Sequence, residues 1–353
     1  MERICDFLNK DQLMPTTSTG YRFTLQGDTY GLVQGELQIA DPGPHEVLIK
    51  VHAASLNYRD LIHWRNKAGR PMEGVIPCSD GAGEVVAVGS KVTRIVPGSL
   101  VAGSFFQEWV NGPFEMKYHQ QALGGSANGM LAQHVLLNEQ GVVKIPAYLN
   151  GIEASTLPCA AVTAWAGLVE RGGLHTGQTV LVLGTGGVSI FALQLAKAHG
   201  AKVIVTSSHD DKLVHAKELG ADETVNYKTH PDWDKVVWEL THKQGVDHVV
   251  EVGGPGTLAK SLGSVKASGS VALIGVLTGF GPMGDSLFPL VAKNASIHGI
   301  YVGSREYFER MARFMEQHQM HPIIDKVFDF DHAQKAFEYQ ESGQHFGKVV
   351  IKM

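Results

Sequence analysis

Apolar positions divide the chain into two parts with different periods. Between about residues 21 and 145 they come in short runs broken by Gly and Pro, as at 46–53, 83–88 and 100–102. Such runs predict short strands packed into a β-rich, barrel-like unit. DPGPHEV (41–47) and VPGSLV (96–101) mark turn-to-strand junctions. From about residue 151 strand and helix periods alternate, with strand runs at 179–183, 202–206, 223–226, 248–252, 271–274 and 296–300. Six strands with helices between them predict a doubly wound parallel sheet, so the fold class is α/β. Two helices, at 305–317 and 331–341, and a strand at 348–352 end the chain, and that strand is expected to return to the first unit. Residues 1–150 and 301–353 are therefore expected to form one domain and 151–300 the other, as befits 353 residues.

The run TVLVLGTGGVSIFALQLAKAHGAKVIVTSS, residues 179–208, combines strand, glycine turn, helix and strand. A buried β-branched strand ends at Gly184, Gly186 and Gly187, where missing side chains permit a tight turn and close approach of a phosphate. The following helix, opening at Val188, points its N-terminal amides and positive dipole end at the same place. Ser189 stands where the third glycine of G-x-G-x-x-G belongs, and it is small enough for close helix–strand packing. In this context the turn predicts dinucleotide binding.

Composition narrows the partners. A net charge of −5 gives no reason to propose nucleic acid or an anionic membrane. No apolar stretch is long enough to span a bilayer. Three cysteines, Cys5, Cys78 and Cys159, imply no disulfide framework and a reducing, cytoplasmic setting. The first twenty residues are charged and lack a continuous apolar core, so they read as a polar extension rather than a secretory signal. The 17 histidines are scattered, without a closely spaced pair on a helix face.

The motifs SLNYRDL (55–61), IPCSDGAGEVVAVGSKV (76–92), LPCAAVTAW (157–165), GTGGVS (184–189), GADETVNY (220–227), GVDHVVEVGG (245–254) and FGKVVI (346–351) together resemble the medium-chain dehydrogenase/reductase superfamily. The resemblance implies a GroES-like barrel domain beside a Rossmann domain. In zinc-dependent members a cysteine, a histidine and a cysteine hold the catalytic metal; they would fall at Asn57, Ser79 and Cys159, and only Cys159 is kept. Amide and hydroxyl oxygens are poor zinc ligands. Nor do four clustered cysteines for a structural zinc lobe lie between Cys78 and Cys159. No metal is expected. The pattern is similar to the zinc-free branch, quinone oxidoreductases and enoyl reductases, which donate hydride from NADPH to a quinone or an activated double bond. Asn57 and Tyr58 are then the catalytic candidates: Asn57 to orient substrate or ribose, Tyr58 to donate a hydrogen bond or proton, or only to shape the cleft. Cys159 reads as a lining residue rather than a nucleophile.

NAD-preferring units carry an acid about 20 residues after the glycines. Ser207 and Ser208 stand there instead, with Lys212 and Tyr227 as further candidates beside a 2′-phosphate. NADP(H) is therefore expected over NAD(H), with Asp210 and Asp211 read as first-turn helix residues. Further cofactor contacts are expected at strand ends and by resemblance: Thr163, Gly253, Ile274, Val276, Tyr301, Val302, Phe346 and Lys348. The aromatic segment 103–133, bearing Phe105, Phe106, Trp109 and Phe114, is expected to wall the substrate cleft or a subunit contact, or to be only a packed surface loop. A small-molecule substrate and a homodimer or homotetramer are the expected partners. Two other readings stay open: an alcohol or aldehyde dehydrogenase on the same fold, favoured by PCSDGAGEV, and an NADPH-binding scaffold or sensor with little turnover.

Overall fold

The computed structural model describes residues 17–282 and 286–353. The expected polar extension lies outside the described residues up to 16, and from residue 17 the chain is already strand. Strands β1 (Thr17–Gln26) and β2 (Thr29–Gln38) form an antiparallel hairpin. β3 (Glu46–Ser55) leads into helix α1 (Tyr58–Trp64), and β4 (Asp80–Val88), β5 (Leu100–Gly103), β6 (His134–Asn138) and β7 (Val142–Lys144) follow. Short strands with buried alternating faces close over a core that includes Phe23, Ile49, Leu56, Met130 and Phe337.

Helical residues then lead to the second sheet. α2 (Gly151–Ala154) is capped by Asn150, whose side chain accepts from the Ile152 and Glu153 amides. A wide π-type turn (Leu157–Ala161), α3 (Val162–Trp165) and a second wide turn (Ala166–Glu170) follow. The sheet comprises β8 (Thr179–Leu183), β9 (Lys202–Ser207), β10 (Glu223–Asn226), β11 (Val246–Glu251), β12 (Val265–Leu273) and β13 (Ser296–Gly299). Between them run α4 (Gly187–Ala198), α5 (Asp210–Glu218), α6 (Trp233–Leu240), α7 (Leu258–Ser264) and α8 (Phe288–Lys293). All the strand pairs are parallel, in the order β10-β9-β8-β11-β12-β13. The order reverses between β8 and β11, where doubly wound sheets bind their ligands.

The chain ends with α9 (Arg305–Gln317), β14 (Ile324–Asp329), α10 (Ala333–Glu341) and β15 (Lys348–Lys352). β15 pairs antiparallel with β3 and parallel with β14, so the last strand does return to the N-terminal sheet, in the order β14-β15-β3-β4-β5-β7. β14 escapes a reading by period because it is an edge strand with polar residues at Asp325, Lys326 and Asp329. β12 begins at Val265 rather than 271, since its first half carries Lys266, Ser268 and Ser270 and its register shifts opposite β11.

Strand ends in this sheet pack tightly. A Cβ on Gly275, just past β12, would fall on the Val252 carbonyl that follows β11. Backbone cannot yield as a flexible side chain does. Gly275→Ala should therefore destabilise the protein by about 3 kcal/mol or more, read as a lowered Tm in thermal denaturation; an unchanged Tm would show that the two turns are free to separate.

Candidate active site

The N-terminal wall of the site begins where β3 ends. Asn57 is the N-cap of α1, and its backbone N–H donates to Asp60 Oδ2 at 2.8 Å, forming half of a capping box. Facing it, Cys78 takes a positive φ of 66°, and its carbonyl accepts from the Met130 amide at 2.8 Å. That left-handed turn delivers Ser79 and Asp80 into the start of β4, both fully buried. Ser79 Oγ donates to Asp80 Oδ1 at 2.7 Å, and Asn57 Nδ2 reaches Ser79 Oγ at 3.5 Å. From the wide turn at Leu157–Ala161, the Cys159 N–H donates to Asp80 Oδ2 at 3.1 Å. Wide helical turns of this kind recur at functional sites.

Lys348 completes this cluster from the far end of the chain. Its ammonium donates to Leu56 O at 2.6 Å and Asn57 Oδ1 at 2.7 Å, and lies 3.9 Å from Asp80 Oδ2. The residue is 2% exposed. Burial pushes the Asp80 carboxyl up, with Lys348 opposing, and pushes Asp60 up to about 6. Burial and the neighbouring carboxylates also raise both Cys78 and Cys159, so neither thiol is an activated nucleophile. Among the described residues, no three His, Cys, Asp or Glu side chains gather as a metal-ion site.

The opposite wall is the glycine turn. Gly184 has φ +74°, which only glycine adopts without strain, and Ser189 Oγ donates to Leu183 O at 2.7 Å, tying the first turn of α4 to the end of β8. The serine at the third glycine position thus adds a bond rather than a clash. Gly186 forms an isolated bridge with Gly347, and the Gly347 N–H donates to Thr185 O at 2.9 Å. The stem of Lys348 lies against Gly187, where a Cβ would come within 2.7 Å of Lys348 Cδ. Val188 is half-buried in the first turn of α4, and Thr163, 2% exposed, sits one turn beyond Cys159. These residues meet at the crossover between the two sheets.

Ser207 is buried at the end of β9, where its carbonyl accepts from the Tyr227 N–H at 3.0 Å. Ser208 Oγ pairs with His209 Nδ1 at 2.8 Å, and Tyr227 is 40% exposed. Asp210 and Asp211 lie in the first turn of α5, and Asp210 accepts from Asn226 Nδ2 at 2.7 Å. Lys212 departs from expectation. Its ammonium already donates to Gly343 O at 2.7 Å and His345 O at 2.9 Å, so it clamps the tail loop instead of standing free beside Ser207. The Lys348 ammonium turns toward Asn57, while its stem lies on Gly187 of the glycine turn. Phe346 is buried with its ring edge-on to His215 at 5.6 Å.

At the end of β11, Glu251 is fully buried and accepts from the Gly253 N–H at 2.7 Å, the Gly254 N–H at 2.9 Å, Thr257 Oγ1 at 2.6 Å and the Ser261 hydroxyl. Sequence reading missed this carboxylate, although an acid closing an apolar strand just before Gly-Gly is the signal for it. Ile274 and Val276, both half-buried, follow β12. Beyond β13, Tyr301 is 47% exposed and Val302 takes φ +56°, strained for a β-branched residue by about 1–3 kcal/mol. Rings from the segment 103–133 gather on Tyr301: Phe105 at 5.8 Å, Phe106 at 5.1 Å, His119 at 5.2 Å and Phe114 at 6.4 Å. Arg59 lies over Phe105 at 4.4 Å and donates to Leu123 O at 2.6 Å. The aromatic loop thus joins the N-terminal wall to the end of β13. Tyr58, the other expected catalytic residue, is half-buried against the N-terminal core, with the Lys67 ammonium 5.8 Å from its ring.

Residues 43–147 match the family described as alcohol dehydrogenase GroES-like domain, and residues 187–317 match zinc-binding dehydrogenase. A zinc-type alcohol dehydrogenase-like protein of Schizosaccharomyces pombe is 44% identical over 317 residues, covering 88% of this chain and 91% of the relative. A 2-methylene-furan-3-one reductase of Solanum lycopersicum is 31% identical, covering 96% and 80%. The crystal structure of a Sinorhizobium meliloti protein described as an alcohol dehydrogenase superposes with a TM-score of 0.90 at 38% identity, over 97% of this chain and all of that one.

Two buried groups in α1 give the wall opposite pH dependences. Burial lowers His63 from 6.5 to about 3, so its contribution to stability is full above pH 6.5 and is lost as the pH falls. Burial raises Asp60 from 3.8 to about 6, so its contribution is full below pH 3.8 and is lost as the pH rises through 6. Replacing Asp60 with Asn removes only the second effect. Between pH 4 and 7 the unfolding free energy of wild type should fall relative to Asp60→Asn by on the order of 3 kcal/mol; urea denaturation of both across that range measures it, and parallel curves would contradict the assignment.

Proposed function

The chain belongs to the medium-chain dehydrogenase/reductase superfamily, and from that premise we propose that it is a zinc-independent, NADPH-dependent reductase of α,β-unsaturated carbonyl compounds or quinones. The observation that carries the reading is the donor set around Asn57. At the three superfamily ligand positions stand an amide, a hydroxyl and a raised thiol, and the Lys348 ammonium lies 2.7 Å from the amide oxygen. A dication does not fit beside that ammonium with those donors. The site offers hydrogen-bond donors where the zinc-dependent members offer a Lewis acid.

A conjugated carbonyl suits such a site because it serves as its own electron sink. NADPH, when bound, supplies the hydride. The Gly184–Gly187 turn and the N-terminal amides of α4 hold its pyrophosphate, and Ser207, Ser208 and Tyr227 face its adenosine ribose. The turns after β11 and β12, through Gly253, Ile274 and Val276, together with Thr163, Tyr301 and Val302, lie toward the nicotinamide. Asn57 donates a hydrogen bond through Nδ2 to the substrate oxygen as negative charge builds there, and the anion left by hydride transfer takes its proton from solvent. Tyr58 packs as part of the wall. The rings around Tyr301 exclude water and favour a flat, conjugated substrate. The tomato relative's name denotes a ring ketone bearing a conjugated methylene group, which is this class.

The second reading, an alcohol dehydrogenase, is favoured by the Schizosaccharomyces pombe and Sinorhizobium meliloti proteins. A screen of NADPH and NADH against enones, quinones, aldehydes and alcohols separates the two. NADPH-dependent reduction of an enone or quinone that survives exhaustive chelation is expected, as is a shift toward NADH in Ser207→Asp through repulsion of the 2′-phosphate. Activity confined to alcohols, or abolished by chelation, would sink the reading.

Exposed apolar side chains also gather in the segment between β12 and the edge strand β13. Leu277, Phe280, Leu287, Phe288 and Val291 are all at least 48% exposed there. An unpaired strand edge next to such a segment invites a second copy of the same chain. The protein is expected to be a homodimer or homotetramer by light scattering, and Phe288→Glu with Val291→Glu is expected to yield smaller species; a wild-type monomer would refute this.

A further inference from the structure

Asparagine amides are nearly symmetric in shape, so an isolated Asn57 can present either its acceptor or its donor end to the cleft. Building on the proposed reductase reading, we propose that Lys348 is a positioning residue that locks the Asn57 amide with Oδ1 inward and Nδ2 toward the substrate oxygen. Three observations carry this. An ammonium can only donate, and Lys348, itself 2% exposed, places Nζ 2.7 Å from Oδ1 and 2.6 Å from Leu56 O. Turning the amide over would set an NH₂ group against a buried NH₃⁺. On the other side Ser79 commits its proton to Asp80 Oδ1 at 2.7 Å, leaving its lone pair for Nδ2 at 3.5 Å. The donor end of Asn57 therefore faces Ser79 and, beside it, the Asp80 carboxylate, with which it also makes a side-chain hydrogen bond.

The lock is itself immobilised. Lys348 follows Gly347, whose N–H is fixed on Thr185 O, and its stem packs on Gly187. The glycine turn that cradles the pyrophosphate thus braces the residue that orients the amide. A cation directly behind the carbonyl end also withdraws electron density from the amide, making the outward N–H a stronger donor. The consequence for specificity is direct. A site with a fixed donor selects substrates whose reacting oxygen is an acceptor and gains charge.

A mutant cycle tests the lock. Lys348→Met should lower kcat for enone or quinone reduction by about 100-fold, with NADPH affinity retained, and Lys348→Arg should restore part of the loss. Asn57→Ala should lose about as much, and adding Lys348→Met to it should cost little more. Asn57→Asp keeps the contact to Lys348 but removes the donor, and should be as slow as Asn57→Ala. A second readout does not depend on turnover. In protein labelled with ¹⁵N-asparagine, the side-chain amide signal absent from Asn57→Ala should shift in Lys348→Met and in the milder Lys348→Arg. Equal kcat losses from Lys348→Met in both backgrounds, or an unmoved amide signal, would overturn the proposal. Wild type that reduces no enone or quinone would instead defeat the functional reading, leaving the amide signal to decide on the lock.

Discussion

A buried ammonium must be met by acceptors, and at Lys348 they come from two separate parts of the chain. Leu56 and Asn57 follow β3, Asp80 opens β4, and Asp80 in turn receives the Cys159 N–H from the wide turn ahead of α3. Removing any one partner would leave a polar group unpaired in a dry site, where it is costly. The arrangement of the catalytic wall follows from that constraint. A dication in the same place would compete with the lysine for the same acceptors.

The second constraint is the tail loop between α10 and β15. Lys212 holds it through the carbonyls of Gly343 and His345, Phe346 packs on His215, and Gly347 bonds to Thr185. Burial lowers the Lys212 ammonium and holds His345 down to about 4, as expected of groups taken out of water. The loop fastens α5 and the wall around Asn57 to one short stretch of chain.

Much of this was legible in the sequence because it is local. β8, the glycine turn and α4 depend on residues adjacent in the chain, and their boundaries follow from period and glycine placement. The departures at Asn57 and Ser79 were legible because single side chains decide them. What sequence hid is long-range pairing. The Lys212 and Lys348 ammonium groups find their acceptors 131 and 291 residues away, and no pattern of neighbours announces such a partner. Glu251 hid for a different reason: a carboxylate at the end of an apolar strand looks like an exposed end until four donors are seen around it. β14 lacked a period because half of an edge strand faces water.

The return of β15 to β3 has a consequence for how the molecule comes into being. β3 lies near the start of the chain and β15 is its last strand, so their pairing joins segments separated by nearly its whole length. On a ribosome the first sheet therefore stays open along that flank until β15 has been made. The parallel sheet has no such debt to the terminus and is free to fold during synthesis. A nascent chain can thus complete its parallel sheet before Lys348 has been made.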